Sequence, residues 1–218
     1  MKEFKDTCCL FIFTLDLVTR KYPIITTVEG LPHDCFSVLP CDSSLGGAVI
    51  ISANALIYVD QASRKTALPV NGWASRITDM PLQVLGPEEQ ECDMHLEGCH
   101  AAFVDVRTFF VITQDGFVHP VEIIMDGKTV TRLALGTAMA QTTIPSLVRF
   151  IDTGREEGGK DSLLFAGSTV GPSILLRTTR VEEEAPKEVL NEAPVAVADH
   201  PNTMEIDDED GKVFLTHA

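Results

Sequence analysis

The chain has 218 residues, 44% hydrophobic and 22% charged, with a formal net charge of −15. That composition is globular, and the length suffices for one or two domains around a buried core. The charge argues against autonomous binding to nucleic acid, which needs Lys and Arg to displace phosphate counterions, and equally against docking on an anionic membrane surface.

In chain order, Met1-Lys-Glu-Phe-Lys-Asp6 leads into a short apolar run interrupted by Thr14 and Asp16. It reads as neither a signal peptide nor a membrane span. From Cys9 to Val18 the run alternates, with Cys9, Phe11, Phe13, Leu15 and Leu17 on one face. Leu10 and Ile12 make the other face partly apolar. A pattern of apolar run, polar turn and apolar run then recurs over Gly47–Val59, Arg107–Val118 and Asp161–Leu176. Turn residues between β-branched and aromatic runs are hairpin chemistry, and recurrence every several dozen residues points to an array of small sheets.

Val49-Ile50-Ile51 and Phe109-Phe110-Val111-Ile112 are apolar on both faces, so something must cover both sides of these strands. No long stretch carries convincing 3.6-residue periodicity, so the covering elements are other sheets. A β-propeller is the first expectation and a sandwich the second. Asp115-Gly116 and Asp126-Gly127 bracket a strand over Phe117–Met125, flanked by strands over Thr108–Thr113 and Thr129–Leu135. With His100–Val104 as a fourth, they make one four-stranded blade.

Met80–Asp93 reads as an exposed insertion and Arg155–Lys160 as a shorter loop. Residues 181–212 hold 11 acidic and 2 basic side chains, a net −9 that leaves −6 for the remainder. From about Val181 the chain is expected to be disordered, although Val213-Phe-Leu-Thr216 is a new apolar run. About three blades can be found, and propellers generally close with at least four. The expectation is therefore an all-β, WD40-like partial propeller over residues 1–180, a piece of a longer protein, and the resemblance given below implies that it is that protein's N-terminal propeller. Residues 181–218 are expected to form an acidic disordered insertion or tail.

Six cysteines and the lack of any Asn-x-Ser/Thr acceptor suit a reducing compartment with free, mostly buried thiols. Cys92-x-x-His95-x-x-x-Cys99-His100 has zinc-ligand residue types, but adjacent residues on a strand point to opposite faces. It is read as a loop Cys, a solvent-facing His and a core Cys. Gly127-Lys128-Thr129 has Glu122 where a phosphate-binding loop requires glycine. Gly167-Ser168-Thr169-Val170-Gly171 lacks the spacing of a nucleophile elbow and reads as a tight turn. His33-Asp34 and Asp199-His200 are sequence neighbours, which rarely face each other for acid–base work. No catalytic, cofactor-binding or metal residue is assigned. Trp73, the only tryptophan, lies in Asn71-Gly-Trp-Ala-Ser-Arg76. It suits either a plug in the seam between blades or a partner-binding anchor, and Asn71, Trp73 and Arg76 are carried as the candidate partner site.

Particular runs also carry a family resemblance. Tyr58-Val-Asp-Gln-Ala-Ser-Arg64, Leu68-Pro-Val-Asn-Gly-Trp-Ala-Ser75 and Leu164-Phe-Ala-Gly-Ser-Thr-Val-Gly-Pro-Ser-Ile-Leu-Leu176 resemble the first propeller of one family. It is the large scaffold subunit of the cleavage and polyadenylation specificity factor, in its fungal form. Leu31-Pro-His-Asp-Cys35 and Leu45-Gly-Gly47 fit its blade order, and residues 181–212 fit its habit of acidic insertions. The Gly-Ser hairpin is shared with a damaged-DNA-binding ubiquitin-ligase adaptor and a splicing-factor propeller subunit. The resemblance implies a non-enzymatic nuclear scaffold of pre-mRNA 3′-end processing that takes no cofactor. Such a scaffold holds a zinc-finger subunit and a WD-repeat subunit, and the family is often described as nucleic-acid binding; the acidity of this chain points to only indirect contact of this segment with RNA. The alternatives are an adaptor of a cullin ligase or splicing complex and, in a different class, a propeller hydrolase or lyase.

Overall fold

The computed structural model describes residues 5–86, 93–152, 162–180 and 213–217. Strands β1 (Cys8–Phe13) and β2 (Ile24–Leu31) form a two-stranded antiparallel hairpin. The alternating run expected to reach Val18 stops at Phe13, because the chain turns back through an Asp16–Lys21 bridge. Strands β3 (Cys35–Pro40), β4 (Ala48–Ser52), β5 (Ala55–Val59) and β6 (Lys65–Pro69) follow as one four-stranded meander. The one-turn helix α1 (Ala74–Ile77) comes next.

A second meander comprises β7 (His100–Phe103), β8 (Thr108–Ile112), β9 (Phe117–Asp126) and β10 (Thr129–Leu135), with the short β11 (Ala140–Gln141) added to β9. These are the strands and turns expected of the Asp-Gly blade. The third meander is β12 (Leu147–Asp152), β13 (Ser162–Gly167), β14 (Ile174–Arg180) and β15 (Val213–His217). The late apolar run thus pairs with β14. The remainder of residues 181–218, expected to be disordered, lies outside the described residues, as do the loop 153–161 and residues 87–92 of the expected insertion.

The sheets cover one another, as a partial propeller requires. Val49, Ile51, Leu56, Tyr58 and Leu68 of the first meander share a buried cluster with Phe109, Val111, Val121 and Leu133 of the second. The intervening residues of the first, Ile50, Ile57 and Ala67, face Val28 and Leu31 of the hairpin. In the second meander Phe110, Ile112 and Val118 face Val148, Leu164 and Leu176 of the third. Doubly apolar strands are therefore buried through successive residues pointing into different inter-sheet seams. The outward face of the hairpin, with Phe11, Phe13 and Ile25, is exposed.

In a four-stranded meander the turn between the second and third strands lies at the same end as the connection to the next meander. One end of the assembly therefore collects the β4–β5, β8–β9 and β13–β14 turns and the β2–β3, β6–β7 and β10–β12 connections. The candidate residues lie at this end.

Candidate functional site

A buried amide network ties three of these connections together. Asp34, in the β2–β3 turn, accepts a hydrogen bond through Oδ2 from Asn54 Nδ2 at 2.7 Å. Asn54 Oδ1 in turn accepts from Asn71 Nδ2 at 3.0 Å, and the same Nδ2 donates to the Met94 carbonyl at 2.8 Å. Asn54 and Asn71 are both buried. Asn71 Oδ1 accepts from the Trp73 backbone N–H at 2.9 Å, an Asx turn that starts the one-turn helix. Asn71 therefore supports the site from beneath and does not itself face solvent. Asn71→Ala is expected to cost about 2–3 kcal/mol, because it strands the buried Asn54 Oδ1 and Met94 carbonyl. Urea unfolding followed by circular dichroism measures the loss.

Trp73 stands on this support and is 53% exposed. That is not the position of a plug between blades. The Arg76 guanidinium, one helical turn later, lies 4.7 Å from the indole ring centroid, a cation–π stack that holds both side chains in the open. Beside them runs a cavity of about 820 Å³ with Pro69, Leu82 and Leu85 in its wall. The structure thus brings Asn71, Trp73 and Arg76 together, with Asn71 as support and the other two as surface.

The remaining candidate chemistry is taken up by packing and turns. Cys99 lies in the seam between the first two meanders, where burial pushes its thiol up to about 12. His95 is exposed, and Cys92 is outside the described residues. The five described cysteines are free, but they are not mostly buried as expected: Cys99 is buried, Cys8, Cys35 and Cys41 are half-buried and Cys9 is exposed. Burial also pushes Cys35 up to about 12 and Cys41 up to about 11, so neither is a thiolate at neutral pH. His33 Nδ1 contacts the Lys5 carbonyl at 3.2 Å while Asp34 serves the amide network, so these neighbours do not act on one another. Asp199-His200 is outside the described residues. Gly127-Lys128 is the two-residue β9–β10 turn. Ser168 Oγ donates to the Ile144 carbonyl at 2.7 Å, fastening the β13–β14 turn to the preceding loop. The Tyr58–Arg64 run is the end of β5 and the turn after it, the Asp60 carboxylate accepting from the Ala62 and Arg64 N–H groups at 2.8 Å.

No family model matches the chain. Among curated proteins it is 32% identical over 192 residues to protein cft1 of Neurospora crassa, covering 84% of this chain and 12% of the relative. It is 33% identical over 182 residues to protein cft1 of Schizosaccharomyces pombe, covering 81% and 12%. Against cleavage and polyadenylation specificity factor subunit 1 of Drosophila melanogaster it is 26% identical over 183 residues, covering 84% and 12%. The chain belongs to the Cft1 family. It spans about 12% of the length of these relatives. The Asn-Gly-Trp-Ala-Ser run that suggested the family is, in this Cft1-family chain, the turn that presents Trp73.

Proposed function

We propose that this chain is a segment of a non-catalytic nuclear scaffold in pre-mRNA 3′-end cleavage and polyadenylation. The kinship with Cft1 and with cleavage and polyadenylation specificity factor subunit 1 carries the reading. The blades organise protein subunits, zinc-finger and WD-repeat types among them, that read the polyadenylation signal. Contact of this segment with RNA is indirect, in keeping with its net charge of −15.

Trp73 and Arg76 are the proposed protein-binding surface, an aromatic–Arg pair of the kind that concentrates binding energy. The test is affinity purification of the tagged full-length protein from nuclear extract with mass spectrometry, wild type beside Trp73→Ala. Wild type is expected to bring down the polyadenylation zinc-finger, WD-repeat and endonuclease subunits. Trp73→Ala is expected to cost about 2 kcal/mol of binding at a hot spot, roughly a thirtyfold loss of affinity for one subunit. Folding should change by less than about 1 kcal/mol, since the side chain is more than half exposed. Recovery of cullin-ligase or splicing subunits instead would overturn the family role. Unchanged recovery with Trp73→Ala would overturn only the surface.

A further inference from the structure

At the same end of the assembly, a second groove of about 740 Å³ runs between the β6–β7 connection and the β8–β9 turn. The β8–β9 wall is fastened to the loop before β12 by a close backbone approach. Gly116, in the β8–β9 turn, has φ +91°, and a Cβ there would stand 2.3 Å from the Thr142 carbonyl oxygen. Its own carbonyl accepts from the Thr142 N–H at 2.8 Å and from Thr142 Oγ1 at 3.2 Å. That lock fixes Phe117, which follows the turn, relative to Ile144, in the loop before β12. Phe117 is 37% and Ile144 51% exposed, and with the half-buried Met94 they give the groove its apolar surface.

Three exposed carboxylates, Asp93, Glu97 and Asp115, line it, and no Lys or Arg does. The two ion pairs among the described residues, Lys5–Asp79 and Arg64–Asp60, engage none of the three. No group of three potential ligands among the described residues is arranged for a metal ion. We propose that this groove docks an extended protein segment in which Lys or Arg side chains flank an aliphatic one. The carboxylates steer and orient the cations, while the aliphatic group loses water against Phe117 and Ile144. The same carboxylates repel phosphate, so the occupant is a peptide and not RNA. The groove shares Asp93 with the cavity beside Trp73, whereas Glu97, Asp115, Phe117 and Ile144 line the groove alone, and the proposal stands whichever complex the full protein serves.

The acidic residues 181–212 are also able to attract a basic peptide diffusely, so the test separates the two sources. Full-length protein in its purified complex is titrated against a short fluorescein-labelled peptide in which lysines flank one leucine. Binding is read by anisotropy, with a Glu-for-Lys peptide as control. The lysine peptide is expected to bind and the glutamate peptide not. Glu97→Lys with Asp115→Lys, two residues absent from the Trp73 cavity, should weaken binding about tenfold or more, and Ile144→Ser about fivefold. Deletion of residues 181–212 should leave both differences in place. Equal binding by wild type and the charge-reversed protein would overturn the proposal. So would an Ile144→Ser protein that binds like wild type, or binding that vanishes only when residues 181–212 are removed.

Discussion

Phe110→Ala is expected to destabilise the fold by about 3–5 kcal/mol, a large part of the 5–15 kcal/mol that ordinarily separates folded from unfolded protein. The Phe110 side chain is fully buried in the seam between the second and third meanders, with Ile112, Val118, Val148, Leu164 and Leu176 around it. Truncation loses the transfer free energy of the ring and leaves a cavity that two independently hydrogen-bonded sheets close poorly. Phe109, its neighbour on β8, is equally buried but points into the seam with the first meander, beside Leu56, Leu68 and Leu96. Phe109→Ala is therefore expected to cost a similar amount at the opposite seam. Phe117→Ala, at a partly exposed position nearby, should cost less than about 1 kcal/mol. Urea unfolding of the three variants gives the comparison. A Phe110→Ala loss as small as that at Phe117 would mean that the third meander is not packed on the second.

This pairing of Phe109 and Phe110 also shows what was legible in the sequence. A strand apolar on both faces, without helices nearby to cover it, already implied sheets stacked on sheets. Hairpins were readable where a turn residue with a local mechanism punctuated the runs, as at Asp115-Gly116 and Asp126-Gly127. Strands β3 and β6 were harder to find. Cys35–Pro40 and Lys65–Pro69 mix polar residues and proline into edge positions of their sheet. The helix α1 was not anticipated, because a single turn started by an Asx bond has no periodicity to read.

The candidate site divided in the same way. Trp73 and Arg76 were recognisable by residue type, and their spacing of three is what stacks them on one helical turn. The role of Asn71 was not readable, since its partners Asn54 and Met94 are distant in sequence and meet it only through tertiary packing. The Phe117–Ile144 groove was missed for that reason too. Its decisive contact is the backbone of Gly116 against that of Thr142, and neither residue has a side chain that announces the meeting.

Gly47→Ala is expected to be, with Gly116→Ala, among the costliest of the glycine substitutions, and its argument is one of backbone space. Gly47 closes the β3–β4 turn with φ +73°, a conformation that costs a residue bearing a Cβ about 1–2 kcal/mol by itself. The added Cβ would also lie 2.1 Å from the Val59 carbonyl oxygen and 3.1 Å from the Asp60 Cα. Those are backbone atoms of β5 and its turn, held by pairing of Ala48 with Val59 and of Val49 with Tyr58, so no flexible side chain is free to yield. The turn must move away from β5, loosening the Cys41 N–H to Gly47 carbonyl bond (3.3 Å) and the Tyr58 hydroxyl bond to the Gly46 carbonyl (3.2 Å). Strain and lost hydrogen bonds together put the expected cost at about 3 kcal/mol or more. Gly127 is the internal control: it has φ +58° in the β9–β10 turn, but a Cβ there meets nothing within 4 Å. Gly127→Ala therefore carries the conformational cost alone, about 1 kcal/mol. Thermal and urea unfolding of the two alanine variants should separate them by about 2 kcal/mol. Equal losses would show that the β3–β4 turn does not press on β5, and with it would fall the packing that seats the first meander's Tyr58.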